Sequence, residues 1–130
     1  MKLSHWVVLI AVPVLLIEGV LFTARLIDPP CPPGERFRIA ATFEKSGGFS
    51  YFAPVPELEH FADTSEQKGS PMLICEDNRI LGPAHAAHRD VVELGRGRFS
   101  HWGTDLLFST SDNSDPNING RSYLLIRPSE

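Results

Sequence analysis

The chain has 130 residues, 42% hydrophobic and 22% charged, which suffices for one compact domain with an accessory segment and excludes two ordinary domains. Its formal net charge is -4, so it lacks the basic footprint that neutralises a phosphate backbone, and no nucleic-acid partner is expected. The one local basic cluster, Arg89, Arg96 and Arg98, reads as a solvated turn.

From Trp6 to Ala24 the sequence WVVLIAVPVLLIEGVLFTA is an apolar run broken only by Glu18, close to the ~20 residues that cross a bilayer core. Phe22 stands where a cleavage site ending at Ala24 wants a small residue, so residues 1–25 are read as an uncleaved signal anchor and single-pass transmembrane helix. A lipidated Cys31 is disfavoured, because Asp28, Pro29 and Pro30 are not the small and aliphatic residues of such a processing site. Glu18 is either tolerated near an interface or faces a partner helix. The domain after the anchor is expected outside the cytoplasm, as a signal-like segment at the extreme N-terminus commonly leads its chain across.

Residues 26–35 include DPPCPPGE, with four prolines in eight residues, a composition expected to form an extended stalk. The remaining residues, 36–130, are expected to form an extracytoplasmic β domain. Arg36 to Phe43 alternates, with Phe37, Ile39, Ala41 and Phe43 on one face, and predicts a first strand. Lys45 to Gly48 reads as a turn and Phe49 to Ala53 as a second strand, stopped by Pro54 and Pro56. Glu57 to Ser70 suits a loop with one helical turn around Leu58 and Phe61. Met72 to Glu76 and Arg79 to Gly82 flank Asp77 and Asn78 as a tight hairpin. Ala84 to Leu94 suits a short helix ended by Gly95.

Phe99 to Trp102, a turn at Gly103 and Thr104, and Leu106 to Thr110 predict a second hairpin. It empties into a polar loop, Ser111 to Gly120, and a last strand runs over Ser122 to Arg127 with Tyr123 and Leu125 inward. The fold expected is mainly β: a small antiparallel sandwich or open barrel with one short helix, preceded by one transmembrane helix. Its core is drawn from Phe37, Ile39, Phe43, Leu73, Phe99, Leu106, Phe108, Tyr123 and Leu125.

His85 and His88, spaced i, i+3, fall on one face of a helix, and His101 with Asp90, Asp105 or Asp112 could complete a metal sphere, although H-x-x-H alone is a weak signal. Asp115, Asn117, Asn119 and Gly120 match the opening of a calcium loop, but the position of the bidentate Glu is Ile126, so a structural turn is the better reading. Ser100 or Ser109 with His101 and Asp105 gives little support to a nucleophilic hydrolase, since adjacent strand residues face opposite ways and no G-x-S-x-G elbow is present. Cys31 and Cys75 either form one disulfide, if the domain is extracytoplasmic, or stay unpaired.

The pieces GPAH at Gly82 to His85, GRFSHW at Gly97 to Trp102 and FSTSDNSDP at Phe108 to Pro116 carry a resemblance. The run Ser70 to Tyr123 resembles a recurrent bacterial cell-envelope segment found beside glycosyltransferase- or methyltransferase-type proteins. That resemblance implies association with surface glycans or with membrane-anchored envelope enzymes.

The leading expectation is therefore a noncatalytic, membrane-anchored recognition module for envelope carbohydrate, with no cofactor. Trp102 would serve as stacking platform and Asp112, Asn113, Asp115 and Asn119 as directional hydrogen-bond groups. Equally open at this stage is a Trp102 that fills the core above a loop that caps its own backbone. Two other classes stand beside it: a metal-dependent hydrolytic enzyme using His85, His88 and His101, and a structural envelope protein that contacts a membrane-protein partner.

Overall fold

A computed structural model describes residues 29–39 and 42–130. The expected anchor over 1–25 lies outside the described residues, among which no helix is long and apolar enough to cross a membrane. Two antiparallel four-stranded sheets form the domain, as the alternation of apolar residues predicts for a small sandwich. The strands are β1 (Gly34–Arg38), β2 (Glu44–Gly47), β3 (Ser50–Pro54), β4 (Leu73–Glu76), β5 (Arg79–Ile80), β6 (Phe99–Trp102), β7 (Asp105–Phe108) and β8 (Tyr123–Pro128). One sheet has the order β1-β8-β4-β5 and the other β2-β3-β7-β6. Among the described residues a 3-10 turn, Pro56–Phe61, and one α-helix, α1 (His88–Glu93), complete the elements.

The core lies between the sheets. Ile74, Tyr123 and Leu125 of one sheet face Tyr51, Ala53, Phe99, Leu106 and Phe108 of the other, with Ile39, Phe43 and Met72 in the same cluster. Phe43 meets Phe108 at 5.1 Å and Tyr123 at 5.5 Å between ring centroids, both edge-on, so three aromatic rings join the two layers. Of the expected core residues, Phe37 and Leu73 pack at its margin and the others are buried.

Two boundaries differ from expectation. The alternation from Arg36 to Phe43 does not form one strand: β1 ends at Arg38 in one sheet, and β2 begins at Glu44 in the other. Ile39, just after β1, and Phe43, just before β2, are both buried in the shared core, which gives the same apolar spacing as a strand. The expected turn at Lys45 to Gly48 is displaced as well. Glu44 and Lys45 pair with Phe52 and Tyr51, and the chain reverses at Gly48 and Phe49. Gly48 has φ +48°, and a Cβ there would collide with the Val92 carbonyl oxygen of α1, which accepts the Phe49 N–H at 2.9 Å.

The second and third hairpins stand where the turn residues put them. Asp77 and Asn78 join β4 to β5, both with positive φ, and Gly103 and Thr104 join β6 to β7. Helix α1 is shorter than the expected Ala84 to Leu94. Residues 83–86 are bonded to β6 instead, and Gly95, at φ +61°, ends the helix.

Part of the expected stalk is integral to the domain. Ile80 N–H donates to Pro29 O and Cys31 N–H to Asn78 O, both at 3.2 Å. Cys31 and Cys75 form a disulfide whose Cα atoms are 6.1 Å apart, closing a sequence separation of 44 residues. Closing a loop of that size removes freedom from the unfolded chain, so reduction is expected to lower unfolding free energy by roughly 2–4 kcal/mol. Urea denaturation with and without a reductant measures this; coincident midpoints would show that the bond adds no stability.

Candidate functional site

The polar loop after β7 is built around a buried carboxylate. Glu76, at the end of β4, is 5% exposed and accepts bonds from Ser111 N–H and Oγ–H, Arg121 Nη1 at 3.1 Å and Tyr123 O–H at 3.2 Å. Burial pushes the Tyr123 hydroxyl up. Arg121 also grips Asp112, with Nη1 to Oδ1 at 2.9 Å and Nη2 to Oδ2 at 2.7 Å. Those hydrogen bonds hold the Asp112 carboxyl far below the ordinary carboxylate range and, reciprocally, raise Arg121.

The other expected ligand groups serve the loop in the same way. Asn113 Oδ1 accepts Arg96 N–H at 2.6 Å, and Asp115 Oδ1 accepts Asn117 N–H at 2.9 Å. Asn119 Nδ2 donates to Tyr123 Oη at 2.7 Å, while its Oδ1 accepts Arg121 N–H at 3.0 Å. Asn117 spans the gap to the other sheet, accepting Phe43 N–H at 2.8 Å and donating to Phe43 O at 3.0 Å. The calcium-like spacing thus forms a turn whose side-chain oxygens accept backbone N–H groups, those of Asp115 and Asn119 within the turn and that of Asn117 from Phe43.

Trp102 stands elsewhere. It pairs with Asp105 at the turn end of the β6–β7 hairpin, whereas Phe99 pairs with Phe108 where the loop departs. The ladder between them covers about 10 Å. The expected platform and loop are not brought into one site.

Around Trp102 a different constellation assembles on the free edge of β6. Pro83 O accepts Phe99 N–H at 3.2 Å and Ala86 N–H donates to Phe99 O at 3.0 Å, which fixes His85 between them. Further along the same edge Asp63 N–H donates to His101 O at 2.8 Å, and Asp63 bridges Trp102 in parallel sense. The two anchorages bring Asp63 and His85 together. Asp63 Oδ1 and Oδ2 lie 2.9 and 2.8 Å from His85 Nδ1, and Oδ1 also accepts Ser70 N–H at 2.9 Å.

A groove of about 330 Å³ opens over this pair, lined by Asp63, Lys68, His85, Ala86, Ala87, His88, Ser100 and Trp102. Trp102 is 46% exposed, so it does not fill the core. His88 meets it edge-on at 6.0 Å between ring centroids, with Nε2 3.4 Å from Ser100 Oγ. His85 has φ +55°, a left-handed backbone that costs a non-glycine residue of order 1–3 kcal/mol and persists only where the surroundings impose it.

The three histidines proposed as metal ligands have separate partners. His85 binds Asp63, His88 approaches Ser100, and His101 Nδ1 is 2.9 Å from Ser70 Oγ. Among the described residues no group of three His, Cys, Asp or Glu side chains is placed to hold a metal ion. Of the serines considered as nucleophiles, Ser109 donates to Arg98 O and is fully buried, while Ser100 lines the groove. Asp63 and Ser70 carry no motif: they lie in the polar stretch before β4, and only the register against β6 brings them to the histidines.

No protein-family model matches the chain, and no curated protein or solved structure matches it significantly.

His101 is 1% exposed, and among the described residues its Nε2 has no hydrogen-bond partner. Burial lowers its pKa from the ordinary 6.5, with Asp63 opposing the shift and His60 adding to it. The unfolded chain therefore takes up a proton near pH 6.5 that the folded chain refuses. Stability is complete above that pH and falls as the pH drops below it. Urea midpoints compared between about pH 7 and about pH 5.5 are expected to fall further for the wild type than for His101→Gln. Equal declines would exclude His101 as the titrating group.

Proposed function

We propose that the domain is a membrane-tethered, extracytoplasmic recognition module that binds envelope carbohydrate in the groove beside Trp102. The observation that carries the reading is the exposed indole next to convergent polar groups. A pyranose presents an apolar C–H face and a rim of hydroxyls, and needs a flat aromatic surface flanked by directional donors and acceptors. Trp102 supplies the surface, and Lys68, His88 and Ser100 supply the rim.

The tether rests on the apolar run from Trp6 to Ala24, and the Cys31–Cys75 disulfide agrees with an oxidising compartment. The resemblance of Ser70 to Tyr123 to a bacterial envelope segment points the same way. In this reading the loop residues Asp112, Asn113, Asp115 and Asn119 act as scaffold, since their hydrogen bonds are made within the loop and to its neighbours.

A glycan array of envelope saccharides, probed with the full chain in detergent, tests the proposal. Binding is expected to drop about fivefold or more in Trp102→Ala, as one stacked aromatic contributes on the order of 1–3 kcal/mol. Asp112→Ala is expected to lower stability and leave affinity intact. Retention of binding by Trp102→Ala, or its loss only in Asp112→Ala, would move the site to the loop.

A further inference from the structure

Beyond a binding face, the groove contains an oriented base. The Asp63 side chain is 3% exposed, whereas the His85 side chain is 32% exposed and lines the groove. With the carboxylate on Nδ1, the ring proton belongs on Nδ1 and the lone pair on Nε2. No hydrogen bond among the described residues engages His85 Nε2. His88, by contrast, is met by Ser100 and the edge of Trp102, with no carboxylate bonded to it among the described residues. The left-handed backbone at His85, clamped by Pro83 and Ala86 on Phe99, fixes the ring from the main-chain side as Asp63 fixes it from the other.

We propose that the groove hydrolyses a carboxylic ester carried by its ligand, with His85 as general base and Asp63 as its positioning residue. The substrate class, an O-acylated sugar, rests on the saccharide reading above. The groove's chemistry selects the bond. Cleaving a glycosidic bond ordinarily takes two carboxyl groups flanking it, and the groove lining supplies one, Asp63, with both oxygens on His85. An ester carbonyl needs one base to activate water and one donor for the oxygen that becomes negative.

His85 Nε2 takes a proton from water as the water oxygen bonds to the carbonyl carbon and the C=O electron pair moves onto oxygen. The Lys68 ammonium, in the same lining, is the cation available to that oxygen. The pair then returns, the bond to the sugar oxygen breaks, and that oxygen takes the proton back from Nε2. Acid and alcohol leave, with no redox partner required. Asp63 keeps the ring in one tautomer and faces the positive charge that forms on it.

The test uses the full chain with a panel of O-acetylated mono- and disaccharides and their unacetylated parents, reading acetate release and binding separately. Wild type is expected to release acetate, and His85→Gln to lower kcat about a hundredfold or more with KM little changed. Trp102→Ala is expected to raise KM instead. Should His85→Gln fail to fold, Asp63→Asn carries the test, with kcat lowered and its pH profile displaced while sugar binding persists. Binding without acetate release, or release unchanged in His85→Gln, overturns the esterase and leaves the recognition reading standing. Failure to bind any member of the panel overturns both.

Discussion

The free edge of β6 is the constraint on which the site depends. A strand at a sheet edge presents backbone donors and acceptors that must find partners, and burial makes that requirement strict. Among the described residues no further strand supplies them. Residues 83–86 satisfy Phe99, and Asp63 satisfies His101, so two polar loops distant in sequence are laid along one edge. Their side chains become neighbours because their main chains share a strand. The Asp63–His85 pair, and the groove above it, follow from that sharing.

The opposite end of the hairpin obeys another buried requirement. Glu76 has to be surrounded by donors, since an ionised carboxylate inside a domain is costly unless it is hydrogen-bonded and paired. Arg121, Ser111 and Tyr123 meet that need and pull the loop from Ser111 to Arg121 against the sheet of β4 and β8. Asn117 then ties the same loop to the Phe43 backbone, beside the aromatic contact that joins the layers. A stretch rich in short polar side chains is thereby ordered by the hydrogen bonds those side chains make.

The sequence made the hairpins legible for a physical reason. Asp77 with Asn78, and Gly103 with Thr104, tolerate turn geometry, and the apolar alternation on each side specifies which residues face inward. Arg36 to Phe43 misleads because alternation reports burial, and Ile39 after β1 and Phe43 before β2 are each buried as strand residues would be. Trp102 could be placed on its strand from local pattern, but whether its ring faced core or solvent depended on what covers the edge of β6. His85 was visible as a histidine in GPAH, yet its partner Asp63 lies 22 residues away in a stretch with no periodicity. Pairings made through edge hydrogen bonds leave no local signature.

The two histidines near Asp63 differ in burial, His101 being enclosed and His85 reaching the groove, and that difference gives the site its direction. His101 lies within electrostatic reach of the carboxylate, but it is buried, and one ring nitrogen has no acceptor among the described residues. A protonated ring there would hold a donor with nowhere to place it, so desolvation outweighs the attraction to Asp63. Ser70 occupies the other nitrogen and, through its backbone N–H, also holds Asp63 Oδ1. Neutral His101 therefore leaves the carboxylate's charge to His85, the histidine that reaches the groove. The packing around His101 thus aims a buried charge toward the surface.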